Sequence, residues 1–349
     1  MKPGLLTSSN FYRPTRYPWA ELAMRKQHEV HWVPWEVPLG EDIKDWHSKL
    51  VPAEKELLSQ IFRFFTQSDI EVSECYHEKY SRIFEPIEVK MMLSAFNSME
   101  GIHIQAYALL LDTLGLPESE FSAFAKIPAM QNKVDYMRQF GVGSNDDILR
   151  TTAMFGAFTE GLSLYSMFAM LMNFPRQNKM KGMGQIVSWS VRDESLHAES
   201  IIRLHNTFAT EVGGRSARVK RDISQCCIQV VALEDAFIDE AFKMGAVPLL
   251  EPDDIKRYIR FVADWRLRQL GLEPIYNRDT INPLPWLQVL LSGVEHQNFF
   301  EGRATEYSKA ASKGEWHGKS GVWEEFARSH TPSHPRDRPP RPLGYYDSE

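Results

Sequence analysis

Long stretches of helical periodicity constrain this chain more than any other feature of its sequence. From Ala53 to Tyr80, apolar residues recur every three or four positions, which places them on one face of a helix. Proline opens this stretch, and glycine or proline closes several others, as is typical of helix ends. Further helices are predicted over residues 86–114, 131–140, 147–173, 182–210, 216–245, 253–271 and 285–303. Helices of about 25 residues without heptads are typical of a large bundle, so the predicted fold class is all-α.

The two ends of the chain differ from this helical middle. Residues 1–50 are rich in Trp, Pro and His, which predicts an irregular N-terminal arm packed on the bundle. Residues 51–310 are predicted to form the helical domain. Residues 311–349 are polar and rich in proline, so they cannot support a core and are predicted to be a flexible C-terminal tail.

Composition and charge exclude several classes of protein. The 349 residues include 46 acidic and 40 basic side chains, a net charge of −6, which argues against a nucleic-acid partner. Three cysteines are too few for a disulfide framework and favour a reducing compartment, so we expect a cytoplasmic protein. No apolar run reaches the roughly 18 residues that a membrane span requires, so no membrane association is expected.

A Glu-x-x-His pair places a carboxylate and an imidazole on the same helix face, because positions i and i+3 are neighbours. Three such pairs are present: Glu74/His77, Glu100/His103 and Glu194/His197. The first pair lies among charged residues and is interpreted as a solvent-facing turn. The other two lie within strongly apolar helices, where a charged group must be paired or metal-bound because isolated burial is very costly. These two pairs are therefore candidate metal ligands.

Two lone carboxylates, Asp69 and Glu160, share the apolar setting. Glu160 is the only Asp, Glu, Lys or Arg in the apolar stretch from Thr151 to Phe174. The alternative for Glu160 is a core carboxylate tied to an arginine of another helix. For Asp69 an ordinary helix face is the stronger alternative, because further acidic residues follow it closely.

Taken in chain order, these residues form the series Asp, Glu-x-x-His, Glu, Glu-x-x-His. Ferritin-like di-iron and di-manganese proteins have this kind of ligand set, which four helices project into the bundle. Four carboxylates and two imidazoles suit Fe or Mn. The predicted fold is accordingly a ferritin-like helical bundle with a dinuclear metal site in its core.

From about Trp32 to Tyr307, the sequence resembles the small, radical-generating subunit of class I ribonucleotide reductase. The resemblance implies two metal ions per chain, as Fe/Fe, Mn/Fe or Mn/Mn, in a homodimer that works with a catalytic large subunit. It implies that the metals react with O₂ or a reduced form of it, and that the resulting oxidant reaches the large subunit, where ribonucleotides are reduced. It assigns the first metal to Asp69, Glu100 and His103, and the second to Glu160, Glu194 and His197.

The resemblance also names residues for radical storage and electron transfer. Tyr107, four residues after His103, matches the family's radical tyrosine, although a tyrosine at helical spacing is commonly a core residue. Trp32 in HWVPWEV and Asp193 in VRDESLH resemble members of a relay Trp32–Asp193–His103–metal, with Trp35 as the competing tryptophan. The oxidant is either a Tyr107 radical or the oxidised metal cluster, and the sequence leaves both open.

Several neighbouring residues are expected to shape this pocket. Leu164 and Phe168 are predicted to line the surroundings of Tyr107, and Ser190 to be able to hydrogen-bond it. An apolar shell is predicted from Phe65, Phe96, Phe155, Phe158 and Phe168. In the tail, Tyr345 and Tyr346 are the candidates for passing the radical to the large subunit. The segments Asn282 to Trp286 and Phe299 to Ala310 resemble C-terminal parts of the family and are expected to pack.

Three other functions are alternatives to a radical-generating subunit. Another ferritin-like oxidase, such as an acyl desaturase or a ligand-binding oxidase, would need a substrate channel and would have no use for Trp32 and Tyr107. An iron-storage protein of the ferritin type would be about half as long. A purely structural helical protein would leave the lone Glu160 unexplained.

Overall fold

The fold was analysed in a computed structural model, which describes residues 4–9, 11–277 and 281–291. Its α-helices are α1 Pro18–Glu29, α2 Gly40–Ser48, α3 Pro52–Glu74, α4 Ser81–Ile83, α5 Ile87–Thr113, α6 Glu120–Ala123, α7 Pro128–Met137, α8 Asn145–Thr152, α9 Leu164–Arg176, α10 Lys181–Glu211, α11 Ala217–Ala241 and α12 Pro252–Gln269. Within the described residues there is no β-strand, only an isolated bridge between Val247 and Leu250. None of the described helices is both long and apolar enough to cross a membrane. The prediction of an all-α fold is confirmed.

The predicted helix boundaries agree closely with the observed ones. Gly115, Gly213, Gly214 and Gly271 follow helix ends with positive φ, the conformation that glycine adopts without a steric penalty. Proline does not end every helix, because Pro175 lies inside α9 and the helix continues to Arg176. Of the predicted helix 285–303, residues 285–291 are helical and the rest lies outside the described residues, as do the tail and Phe299 to Ala310.

The predicted irregularity of residues 1–50 is wrong, since the segment contains α1 and α2. Neither helix has an apolar stripe that periodicity could identify: α1 buries Ala20, Ala23 and Gln27, and α2 buries Asp42, Asp45 and Trp46. The carboxylate of Asp42 in α2 accepts hydrogen bonds from the backbone N–H groups of Gly182 and Met183, at 2.9 and 2.8 Å. These donors belong to the first turn of α10, where N–H groups lack partners within the helix. Helix α2 therefore caps the helix that carries Glu194 and His197.

Four long helical segments surround the predicted metal site. Helix α3 carries Asp69, α5 carries Glu100 and His103, and α10 carries Glu194 and His197. Helix α3 packs on α5, and α10 packs on α5, on α9 and on the segment between α8 and α9. That last segment, Ala153–Ser163, is π-helical and carries Glu160. π-Helical segments are rare and are frequently found at functional sites.

Small residues allow this π-helix to lie close to its neighbours. A Cβ atom at Gly156 would lie 2.4 Å from Cγ2 of Ile201 in α10, and one at Gly161 would lie 2.8 Å from Nε of Arg266. The buried Arg266 side chain donates from Nε to the carbonyl of Gly161 at 2.8 Å. The backbone beside Glu160 is therefore held from α12 and packed directly on α10.

Gly156→Ala is expected to lower the free energy of unfolding of the metal-free protein by about 1–3 kcal/mol, because the added methyl group overpacks the contact with Ile201. Gly101→Ala is a matched control in the helix α5, where a Cβ meets nothing within 4 Å. It should stabilise by about 0.5–1 kcal/mol, since alanine is the better helix former. Urea unfolding followed by circular dichroism measures both, and equal effects would contradict the close packing at Gly156.

Candidate metal centre

All six predicted ligands are buried in the interior of the bundle. Each of them is at most 1% exposed: Asp69, Glu100, His103, Glu160, Glu194 and His197. Potential ligand atoms of Glu100, Glu160, Glu194 and His197 all lie within 4.8 Å of one another. His103 adjoins this group, with Nδ1 3.1 Å from Oε1 of Glu194. The structure thus brings residues from α5, α10 and the π-helix to one point.

Asp69 lies in the same electrostatic environment without a hydrogen bond of its own. Within the described part of the chain, neither carboxylate oxygen of Asp69 has a hydrogen-bond partner. Burial raises the pKa of Asp69 well above its usual range, and the negative charge of Glu100 raises it further. An unpartnered carboxylate beside other carboxylates is costly, so this position is suited to a bound cation.

The pKa values of Glu194 and His197 are both raised, so this cluster of carboxylates favours added positive charge. Burial, followed by the charge of Glu100, raises the pKa of Glu194 to about 8. Burial alone would lower the pKa of His197, but hydrogen bonding to Glu100 and Glu160 raises it to about 10. Protons therefore balance the carboxylate charge when no cation does, and a bound metal ion would replace them.

The two histidines present the same nitrogen to the cluster. Nδ1 of His197 lies 3.0 Å from Oε1 of Glu100, and Nδ1 of His103 lies 3.1 Å from Oε1 of Glu194. The opposite nitrogens are held from outside, since Nε2 of His103 is 3.3 Å from Asp193 and Nε2 of His197 is 3.0 Å from Oε1 of Gln27. With Nε2 carrying the proton, each Nδ1 is free to bind a metal ion.

Gln27 was not singled out from the sequence. Gln27 lies in α1 and is 1% exposed. Its Nε2 donates to Asp193 at 3.2 Å, so the outer partner of His197 is hydrogen-bonded to the outer partner of His103. A glutamine in a short helix without an apolar stripe gives no signal by itself. The one available signal is the position of Gln27, five residues before Trp32.

Trp32 and Asp193 both lie beside His103. Nε1 of Trp32 donates to Oδ2 of Asp193 at 2.7 Å, and the indole stacks on the His103 ring with centroids 5.9 Å apart. Trp32 is 2% exposed, whereas the competing Trp35 is 72% exposed. Burial would raise the pKa of Asp193, but hydrogen bonding from His103 and the nearby Arg192 charge lower it, so the carboxylate is ionised. Trp32 is therefore the tryptophan in contact with the site.

Tyr107 is fully buried and faces an apolar wall. Its ring centroid is 4.3 Å from that of Phe65, which in turn lies 5.4 Å from Phe168. Its hydroxyl donates to Oγ of Ser190 at 3.4 Å, so the predicted Ser190 contact is present. Burial, followed by the charge of Asp69, raises the pKa of Tyr107 far above its usual range.

The remaining residues of the predicted apolar shell are buried, and one of them contacts a predicted ligand. Phe96 packs against His197 with centroids 4.3 Å apart. Leu164, Phe155 and Phe158 are buried, and the ring of Phe155 faces Lys79. Glu74 and His77 are exposed, in agreement with their interpretation as a solvent-facing turn.

Tyr76 is a second site residue that the sequence analysis missed. Its hydroxyl donates to Oε1 of Glu160 at 2.7 Å, so Glu160 is partnered by a tyrosine and His197 rather than by an arginine. Oε2 of Glu160 has no hydrogen-bond partner among the described residues. Tyr76 lies seven residues after Asp69, two helical turns along the same face, and this spacing is the signal that could have identified it.

Fold and site together define a class of protein: a helical bundle whose core holds a carboxylate–histidine cluster able to bind a metal ion. The family model for the ribonucleotide reductase small chain matches residues 9–283. The chain therefore belongs to the ribonucleotide reductase small-chain family. As such it is a small subunit of ribonucleoside-diphosphate reductase, which works with a large subunit.

Individual relatives agree with this assignment. The chain is 37% identical to the ribonucleoside-diphosphate reductase small subunit 376L of invertebrate iridescent virus 6, over 92% of this chain and 99% of the relative. The ribonucleotide reductase R2 subunit from Clostridium botulinum is 23% identical, with a TM-score of 0.74 over 82% of this chain and 92% of that one. The dimanganese(II)-NrdF structure from Streptococcus sanguinis is 19% identical, with a TM-score of 0.70 over 81% and 99%. These structural neighbours confirm the ferritin-like bundle.

Proposed function

We propose that the buried cluster holds two metal ions, one bound by Asp69, Glu100 and His103 and the other by Glu160, Glu194 and His197. The observation that carries the proposal is the orientation of the two histidines. Each has Nε2 held from outside and Nδ1 turned towards carboxylates, with unpartnered oxygens on Asp69, Glu160 and Glu194. Structural pairing alone would not leave these buried oxygens without partners.

Iron and manganese are the metals that suit this donor set, because hard carboxylates combined with imidazoles of intermediate hardness favour them over Ca²⁺ or Mg²⁺. The dimanganese(II) state named for the Streptococcus sanguinis relative supports testing Mn beside Fe. When bound, such ions supply a strong oxidant by reaction with O₂ or a reduced form of it. The family resemblance names Tyr107 as the residue that would store the oxidising equivalent, with the metal centre itself as the alternative.

The chain's own residues would connect the site to the large subunit. Asp193 accepts hydrogen bonds from Trp32 and Gln27 and lies against Nε2 of His103, so it fixes the ring positions and the proton of this histidine. The stacked Trp32 ring would give an electron a short route into the site through His103, while the oxidising equivalent passes the opposite way. This contact favours a radical-transfer subunit over an acyl desaturase or ligand-binding oxidase, which would have no need of it.

The proposal extends to a homodimer working in the cytoplasm. The family resemblance supports the dimer. The reducing compartment is supported by Cys75, Cys226 and Cys227, which are all free and buried.

Ribonucleoside diphosphates are expected to be reduced only when the metal-loaded protein is mixed with its cognate large subunit. The reason is that this chain supplies the oxidant, while the cysteine that it oxidises, and the ribonucleotide, are bound in the large subunit. Deoxyribonucleotide formation, measured by chromatography, checks this, with the metal-free protein plus large subunit as the control. Turnover by this chain alone would contradict the division of labour, as would an inactive pair with both metals bound.

A further inference from the structure

A buried ion pair lies next to the π-helix that carries Glu160. Lys133 of α7 and Glu234 of α11 are 4% and 0% exposed, and Nζ of Lys133 lies 2.7 Å from Oε1 of Glu234. The ammonium group is enclosed by the rings of Phe64 and Phe237, whose centroids lie 4.3 and 4.4 Å from Nζ. Neither charged residue belongs to the proposed metal centre or to the relay, so the pair has another role.

The carboxylate of Glu234 also binds the point at which the π-helix becomes α9. Ser163 is the last residue of the π-helix, and Ser166 lies in the first turn of α9. Oγ of Ser163 donates to Oε1 of Glu234, and Oγ of Ser166 donates to Oε2 at 2.6 Å. One fully buried carboxylate therefore holds both sides of this junction, just after Glu160 in the sequence.

These hydrogen bonds fix the backbone beside the proposed ligand from outside the helix. Serine hydroxyls inside helices commonly bond only to a backbone carbonyl of the preceding turn. Ser166 keeps such a bond, to the carbonyl of Ser163 at 3.0 Å, and shares its donor with Glu234. The carbonyl of Gly161 accepts a further bond from Arg266 of α12. The last part of the π-helix is thus held by side chains of both α11 and α12.

The ion pair gives this contact its direction rather than its stability. Replacing a whole buried ion pair by apolar residues is often neutral or stabilising, whereas removing one partner leaves an uncompensated buried charge. Lys133 is held between two aromatic rings, so its positive charge keeps the Glu234 carboxylate in one position. The specific effect of the pair is the orientation in which Glu234 presents its oxygens to the two serines.

We propose that Glu234, with Lys133 as its counter-ion, is a positioning residue of the metal centre: it holds the π-helix so that Glu160 is directed to the second metal. The inference rests on the proposed function, because the position of Glu160 affects metal binding only if Glu160 is a ligand. Loss of the contact should weaken the second metal in particular. The first metal is assigned to residues of α3 and α5, which the serines do not hold.

Titration of the metal-free, full-length protein with Mn(II) in the absence of O₂ tests this role by paramagnetic resonance. Two adjacent Mn(II) ions give a magnetically coupled signal, whereas a single ion gives the hyperfine pattern of isolated Mn(II). Replacing both serines, Ser163→Ala with Ser166→Ala, removes the two donors and leaves the ion pair in place. We expect the second ion to bind about tenfold more weakly, at the lower end of what loss of a ligand's outer partner costs. The isolated Mn(II) signal should then persist at metal concentrations that give the wild type its coupled signal.

Variants of the ion pair separate positioning from stability. Lys133→Met with Glu234→Leu removes both charges and the acceptor, and it should weaken the second ion in the same way. Lys133→Met with Glu234→Gln also removes both charges but keeps a carbonyl oxygen that can accept from a serine, so it should restore most of the affinity. Circular dichroism checks that each metal-free variant is folded.

A second buried glutamate provides the matched control. Glu54 of α3 is fully buried, and its Oε1 lies 2.7 Å from Nζ of Lys179. Lys179→Met with Glu54→Leu removes this ion pair and should leave the coupled Mn(II) signal and its metal dependence unchanged.

Three results would overturn the inference. One is a folded double-serine variant that binds the second ion as tightly as the wild type. The others are an equal loss in the Glu54 control, and a glutamine variant no better than the leucine variant, because the effect would then be a general loss of stability. In each case the proposed function stands, since the wild type still forms the coupled centre. A wild-type protein that binds no second ion would instead overturn the proposed function, and this inference with it.

Discussion

Glu160→Ala is expected to lower the metal content of the reconstituted protein from about two ions per chain to about one or fewer. Glu160 is fully buried, lies within 4.8 Å of three other ligand candidates and has one oxygen without a partner. Loss of an outer partner alone typically weakens metal binding 10–100-fold, so loss of a ligand should cost more than about 100-fold. Plasma mass spectrometry after desalting measures the metal content.

The control for this change lies in the solvent-facing Glu-x-x-His pair, Glu74/His77. Glu74→Ala removes an exposed glutamate from the same region of the bundle and should leave the metal content unchanged. Circular dichroism of the metal-free variants checks that both remain folded. A Glu160→Ala protein that binds as much metal as the wild type would exclude Glu160 as a ligand.

Trp32→Phe is expected to lower ribonucleotide reduction with the large subunit by about 100-fold or more, equivalent to about 2.7 kcal/mol of activation free energy. Phenylalanine retains an aromatic ring beside His103 but lacks the N–H group that donates to Asp193 at 2.7 Å. It is also harder to oxidise than an indole. Metal content should be unchanged, because phenylalanine keeps an aromatic ring against His103 and Trp32 is not itself a proposed ligand. Steady-state turnover and metal analysis of the same preparation check both statements.

Trp35→Phe is the matched control for this relay. Trp35 lies three residues further along and is 72% exposed, so its replacement should leave turnover nearly unchanged. The opposite pattern, with activity lost in Trp35→Phe and retained in Trp32→Phe, would show that the relay starts from the exposed tryptophan.

The helical core could be predicted from the sequence because its helices are long and bury apolar stripes. The same physics identified Glu160, since a charge in an apolar stretch must have a reason to be there. What periodicity could not distinguish is the π-helix Ala153–Ser163 from an α-helix. In this segment every residue is buried, so a π-helix and an α-helix would each be apolar on all sides. No polar face remains from which the helical period could be determined.

The polar parts of the site were harder to predict for a related reason. Gln27 and the carboxylate of Asp42 are buried because of what they bind across the fold, at Asp193 and at the start of α10. Their local sequence contains no trace of these distant partners. The burial of Tyr76 was difficult to predict for another reason. Its neighbours in the sequence are charged and exposed, while its own side chain is buried.

Metal stoichiometry of the wild-type protein tests the central claim most directly. The metal-free protein is incubated with Fe(II) or Mn(II) without O₂, freed of unbound ions and analysed for metal per chain. We expect about two ions per chain, removable by a chelator, as the four buried carboxylates and two oriented histidines require. A folded protein that retains no ion of either metal would contradict the assignment of this cluster as a dinuclear metal centre.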